Sequence, residues 1–82
     1  MSEIKQRAET LAEEELSRHT SAYQGADESL QHYRLEKAVR HLLAQEFSWR
    51  AAWPLTAFYL PAITSKALKK WRERQKATWG HA

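Results

Sequence analysis

The sequence is 82 residues long, enough for one small domain, and it contains no cysteine, which excludes disulfides, thiolate metal sites and a thiol nucleophile. A chain of this length buries only about 60–65% of its accessible surface on folding, so we expect a homodimer. The net charge of +3 combines −4 over residues 1–33 with +7 over residues 34–82. This asymmetry favours an anionic partner for the basic end or pairing between the two ends of the chain.

The composition predicts an all-α protein. Only two glycines and two prolines occur, and the abundant residues are good helix formers. We expect one helical domain over residues 1–82, with a long N-terminal helical hairpin, short kinked middle helices and a basic C-terminal helix. The N-terminus is acidic and no apolar run reaches about 18 residues, so we expect neither a signal peptide nor a membrane span. With no cysteine present, these features favour the cytoplasm.

The first predicted helix covers residues 1–24 and is acidic. Gly25 is expected to end it in the left-handed conformation that glycine tolerates. Apolar residues at three- and four-residue spacing predict that one face packs against another helix. They are Ile4, Ala8, Leu11, Ala12, Leu16, Ala22 and Tyr23.

The second predicted helix covers residues 27–47, with Asp27 as its N-cap. Its apolar stripe should pack against the first helix to complete the hairpin. The stripe comprises Leu35, Ala38, Val39, Leu42, Leu43 and Phe47.

Each of these helices carries a histidine and a glutamate within its apolar arc: Glu15 and His19 on the first, His32 and Glu46 on the second. Histidine and carboxylate groups can bind zinc, but the spacing matches no metal motif, so we expect no metal. Polar pairs that fix the register of a helical dimer are the favoured interpretation, with Glu15 and His19 at a protein interface.

The middle segment, residues 48–60, is aromatic and contains Pro54. Proline removes a backbone donor, so we expect a short helical turn capped by Ser48 and a second short helix that starts at Pro54. The large aromatic side chains are most simply core residues. The alternative is an exposed docking patch, because such residues are enriched at binding hot spots. They are Trp49, Trp53, Phe58 and Tyr59.

The last predicted helix covers residues 61–79, with Pro61 at its start, Trp71 on its apolar stripe and Gly80 after its end. Most of its circumference is basic, and several cations lie four residues apart, where each like-charge pair costs roughly 0.2–0.5 kcal/mol. The run therefore predicts an anion outside this helix: nucleic acid, an acidic protein surface (including the first helix of this chain or of a dimer partner) or an anionic membrane. A merely solvated face is the simpler alternative. The cations are Lys66, Lys69, Lys70, Arg72, Arg74 and Lys76.

Residues 35–76 loosely resemble a helix-turn-helix DNA-binding unit, with a packing helix, a short helix from Ser48 and a recognition helix from about Thr64. The connection lacks the usual glycine, and two prolines interrupt it. The resemblance implies that the start of the recognition helix faces bases and that later residues hold phosphates. The base-facing residues would be Thr64, Ser65, Lys66, Lys69 and Lys70, with Arg72 and Lys76 on the backbone.

The chain has no nucleophile elbow and no glycine-rich phosphate loop, so we expect no enzyme activity, cofactor or small-molecule substrate. The leading hypothesis is a small cytoplasmic nucleic-acid-binding protein, such as a DNA-binding regulator, whose last helix contacts phosphates. The alternative is a non-enzymatic adaptor or inhibitor that binds another protein through its acidic first helix or through residues 49–59.

Overall fold

Three long helices surround the core in the computed structural model, which describes residues 2–79. In chain order the helices are α1 (Ser2–Arg18), α2 (Thr20–Gln24), α3 (Glu28–Glu46), α4 (Trp49–Phe58) and α5 (Leu60–Trp79). These described residues contain no strand, and the all-α prediction is confirmed. Gly80 lies outside them.

The predicted hairpin is formed by α1 and α3, which run antiparallel. Arg7, near the start of α1, donates to Glu46 at the end of α3. At the other end of the hairpin, Gln31 near the start of α3 donates to the carbonyl of Tyr23. The shorter α4 packs against α3 and the start of α5.

The third long helix, α5, runs in the same direction as α1 and packs against both helices of the hairpin. Its middle meets the middle of α1, where Lys70 Nζ lies 3.9 Å from Glu13 Oε1. Towards its end, Gln75 Oε1 accepts a hydrogen bond from Gln24 Nε2 at 2.6 Å. The apolar stripe of α5 therefore faces the core, and its cations face outward.

The predicted apolar faces build most of the core, although Ala22 is exposed and Ala38, Leu42 and Phe47 are half-buried. Full burial of a leucine-sized side chain contributes about 1.5–3 kcal/mol, so these faces dominate the stability of the bundle. The whole apolar face of α1 is buried against other helices of the same chain. Buried apolar residues are Ile4, Ala8, Leu11, Ala12, Leu16, Tyr23, Leu35, Val39, Leu43, Ala52, Leu55, Leu60, Ile63, Ala67, Leu68 and Trp71.

The first predicted helix is interrupted at His19, whose backbone angles are φ −119° and ψ 36°. The hydroxyl of Thr20 donates to the Leu16 carbonyl at 2.9 Å, and such side-chain bonds bend helices. The chain resumes helical bonding at once, because Tyr23 N donates to the His19 carbonyl at 3.1 Å. The result is a one-residue interruption between α1 and α2 that the apolar spacing did not predict.

Helix α2 ends before Gly25, as predicted, but the reason given was wrong. Gly25 has φ −81° and ψ −3°, a right-handed conformation that any residue can adopt. The predicted cap at Asp27 is present, since its Oδ1 accepts from Leu30 N at 2.8 Å.

The predicted break at Pro54 is wrong, because α4 continues through it. Ser48 caps this helix as predicted, with Oγ accepting from Ala51 N at 3.3 Å. The proline removes one intrahelical bond, the one that the carbonyl of Arg50 would accept. Arg50 lies at the exposed surface, where water can replace the missing donor.

Candidate functional site

The cations of α5 are divided between two sides of the helix. One side faces α3, because Ser65 Oγ lies 3.0 Å from His32 Nε2 and Arg72 also bonds to α3. Lys69 and Lys76 continue the same stripe, since positions 65, 69, 72 and 76 follow the three- and four-residue spacing of one helix face.

Arg72 is held by a glutamine that the sequence analysis did not single out. Its Nε and Nη2 donate to Gln31 Oε1 at 3.0 and 2.7 Å. Gln31 is buried, with 7% of its surface exposed, and its Nε2 donates to the Tyr23 carbonyl. A polar residue in line with the apolar stripe of α3 was the available signal. Arg72 therefore connects α5 to α3, in addition to any contact that it makes with an anion.

Lys69 and Lys76 are exposed and make no ion pair within residues 2–79. Helix α3 contributes Arg40 to the same side of the bundle. Arg40 Nη2 lies 3.8 Å from Glu36, and the other oxygen of Glu36 lies 3.4 Å from Nδ1 of His32, the histidine that faces α5. We call Arg40, Lys69, Arg72 and Lys76 the basic surface.

Lys66 and Lys70 lie on the opposite side of α5, against α1. They line a groove of about 220 Å³ that also contains carboxylates, and Lys70 pairs with one of them, Glu13. Arg74 is exposed beside the same glutamate. The carboxylates on this side would repel a polyanion. Lys66, Lys70 and Arg74 are therefore weaker candidates for phosphate contacts than the cations that face α3. The groove, called the α1–α5 groove below, is lined by Lys5, Glu9, Glu13, Tyr59, Ala62, Ile63, Lys66, Ala67 and Lys70.

The base-reading role that the helix-turn-helix resemblance implied for Thr64 is wrong. Thr64 is fully buried, and its hydroxyl donates to the Leu60 carbonyl at 3.0 Å. It lies in the second turn of α5 because that helix starts at Leu60, four residues before the start that the resemblance implied.

The four polar groups expected within the apolar arcs do not converge. Glu15 lies 3.8 Å from His19 and accepts from the hydroxyl of Tyr23 at 3.3 Å, whereas Glu46 is bound by Arg7 at the other end of the hairpin. No three histidine, aspartate or glutamate side chains within residues 2–79 are grouped for a metal ion. Burial, reinforced by the Glu15 carboxylate, raises the pKa of Tyr23 well above its ordinary value.

The structure exposes three aromatic residues for which the sequence left open either a core position or an exposed docking patch. The exposed fractions are 47% for Trp53, 69% for Phe58 and 49% for Tyr59. The Trp53 and Phe58 rings meet edge to face, with centroids 5.9 Å apart and an interplanar angle of 88°. We call these three residues the aromatic surface. The side chain of Trp49 lies outside what the structure describes.

Trp71 follows the prediction, with 5% of its surface exposed. Its ring meets Tyr23 edge to face at 6.4 Å between centroids. The core thus receives aromatic side chains from α2 and α5, whereas Trp53 and Phe58 of α4 lie at the surface.

No protein-family model matches the chain, and searches of curated proteins and of solved structures find no match either. None of the helices within residues 2–79 has the length and apolarity needed to cross a membrane.

Proposed function

We propose that the protein is a small, non-enzymatic nucleic-acid-binding protein of the cytoplasm that works as a homodimer and contacts phosphates through its basic surface. The observation that supports this is the exposed, uncompensated charge of Lys69 and Lys76. Both are exposed and make no ion pair within the described chain, and both share a helix side with Arg72.

The fold gives no internal reason for this charge. Like charges one turn apart destabilise a helix, and the only acidic residue of α5 is Glu73. Phosphates aligned along the basic surface would remove the repulsion and release bound counterions. Arg72 adds a guanidinium whose orientation is fixed in advance by Gln31.

The test is fluorescence anisotropy of a labelled random-sequence DNA duplex titrated with protein at several salt concentrations. The wild-type protein should bind tightly at low salt, and its affinity should fall linearly with salt on logarithmic axes with a slope of about −0.9 for each phosphate neutralised. The Lys69→Gln/Lys76→Gln variant should bind more weakly, with a slope shallower by about two.

The matched control is Lys5→Gln/Lys70→Gln, which removes the same charge from the α1–α5 groove. It should retain most of the binding, because those lysines lie among carboxylates. Equal losses in both variants would show that net charge, and not the basic surface, governs binding. No binding by the wild-type protein at low salt would refute the proposal.

A second candidate, a protein-interaction module such as an adaptor or inhibitor, is supported by the aromatic surface. Small proteins rarely expose several large aromatics side by side unless they bind something there. In that case Trp53→Ala/Phe58→Ala would abolish capture of the partner, while Lys69→Gln/Lys76→Gln would leave capture intact.

A further inference from the structure

Tyr33 is a large aromatic side chain on α3, close to the basic surface. It is 60% exposed and directly follows His32, whose Nε2 lies 3.0 Å from Ser65 Oγ on α5. Lys69 lies one helical turn beyond Ser65 on the same side of α5. At a rise of 1.5 Å per residue, Tyr33 and Lys69 are therefore within about 8 Å of each other along the bundle.

Cations lie next to the Tyr33 ring. Lys37 Nζ is 5.8 Å from the ring centroid, and Arg40 follows on the same face of α3 at three- and four-residue spacing. Both cations are exposed. The carboxylate nearest this face, Glu36, has only 20% of its side chain exposed and lies 3.8 Å from Arg40 Nη2. A ligand that reaches Tyr33 thus meets mostly positive charge.

The other carboxylates of α3 and α5 lie away from Tyr33. Glu46 is bound by Arg7 at the far end of the hairpin, and Glu73 lines a cavity on the side of α5 that faces α1. Glu28 is about 140° around α3 from Tyr33, because five residues separate the two. The charge around Tyr33 therefore favours an anionic ligand.

We propose that the nucleic acid held by the basic surface is single-stranded, and that one of its bases stacks on the Tyr33 ring while neighbouring phosphates lie on the cations. Proteins that bind single strands combine a basic track for the backbone with aromatic side chains on which bases stack. The inference rests on the proposed function and names the form of nucleic acid that the basic surface binds.

The start of α5 favours a single strand over a duplex. A helix-turn-helix reader needs free side chains there, but Thr64 is fully buried and Ser65 is turned towards His32. Few side chains are left to read base edges in a groove. Tyr33 offers a ring to an unpaired base, whereas the bases of a duplex have to be unstacked before a side chain can reach their faces.

The experiment is fluorescence anisotropy with a labelled single-stranded oligonucleotide and with the duplex of the same sequence, both at low salt. The wild-type protein should bind the single strand more tightly, although both forms bind through their phosphates. Tyr33→Ala should weaken single-strand binding roughly fivefold to 150-fold, the loss that one stacked base brings, and should leave the duplex affinity unchanged.

Two variants control for the ring and for its position. Tyr33→Phe keeps the ring and should bind the single strand nearly as well as the wild-type protein. Phe58→Ala removes an aromatic that is 69% exposed but lies on α4, and it should also bind normally. A loss in Phe58→Ala as large as that in Tyr33→Ala would overturn the assignment to Tyr33, and a loss as large in Tyr33→Phe would overturn stacking.

An abasic single strand separates stacking from contact with the backbone, because it carries the same phosphates without bases. The wild-type protein and Tyr33→Ala should bind it with the same affinity. If Tyr33→Ala weakened binding of the abasic strand as much as binding of the intact one, Tyr33 would contact the backbone and the stacking role would be overturned.

The outcomes separate this inference from the proposed function. A wild-type protein that binds neither the single strand nor the duplex at low salt would overturn both. Equal binding of the two forms, with no effect of Tyr33→Ala on either, would overturn the single-strand inference alone and leave phosphate binding by the basic surface in place.

Discussion

Arg72 on α5 donates two hydrogen bonds to one oxygen of Gln31 on α3, at 3.0 and 2.7 Å. Gln31 in turn donates to the Tyr23 carbonyl at 2.6 Å. These bonds join α5, α3 and α2 in the region where the bundle turns from α2 into α3. The most basic helix is thereby tied to the hairpin by a cation that the sequence suggests only as a phosphate ligand.

Replacing Arg72 with alanine should lower the free energy of unfolding by about 1–3 kcal/mol, because the buried Gln31 oxygen would lose its donors. Urea denaturation followed by circular dichroism measures this change. The control is Lys69→Ala on the same helix side, which is exposed and should stay within about 0.5 kcal/mol of the wild-type protein. Equal stability of the two variants would contradict a structural role for Arg72.

The sequence predicted the helices well because burial is periodic. Stripes at three- and four-residue spacing located the faces that hold Leu16, Leu35 and Leu68, and the side-chain caps at Asp27 and Ser48 marked two helix starts. The interruption at His19 was not predicted, because the apolar spacing continues across it from Leu16 to Tyr23. The continuity of α4 was not predicted either. A single proline leaves most of the backbone hydrogen bonds of a helix intact, so the helix can continue through it.

The surfaces were harder to predict, because they depend on which side of each helix meets which neighbour. The sequence located the cations of α5 but not their division between two sides of the helix. Lys69 makes no ion pair within residues 2–79, whereas Lys70 faces Glu13. It also located the aromatic residues but left open whether Trp53 lies in the core or in an exposed patch. Hydrophobicity alone cannot distinguish a core aromatic from an exposed one when a short helix lies at the edge of a bundle.

Pro54→Ala should raise the free energy of unfolding by about 1–2 kcal/mol. Alanine restores the hydrogen bond to the Arg50 carbonyl and is a far better helix former, although the unfolded chain gains some freedom when a proline is lost. Thermal and urea unfolding measure the change. Pro61→Ala is the control, because a proline in the first turn of α5 removes no intrahelical bond, and its effect should be clearly smaller. A larger gain at Pro61 would contradict this account of α4.

Tyr23 should ionise only when the protein unfolds. Burial beside Glu15 raises its pKa in the folded state, above the unfolded value of about 10. The resulting stability is present below that pH and is lost as the pH rises further. In a Tyr33→Phe/Tyr59→Phe background, tyrosinate absorbance should therefore appear together with the loss of helical circular dichroism.

The control for this titration is Tyr23→Phe, which has no group to ionise at that position and should lose this part of the alkaline dependence. Tyrosinate absorbance from Tyr23 in a chain that retains its native circular dichroism would contradict the expectation.

Glu46 should titrate below its ordinary range because Arg7 binds it. Arg7 Nε and Nη2 donate to its two oxygens at 2.8 and 2.6 Å, and these bonds lower the pKa of Glu46. Since the folded-state pKa is the lower one, the contribution to stability is present above the unfolded value and disappears as the pH falls through the folded value. An NMR titration of the Glu46 carboxyl carbon should show a higher pKa in Arg7→Ala than in the wild-type protein. Because the pair is exposed, added salt should narrow that difference, and identical titrations of the two proteins would show that the contact does not persist in solution.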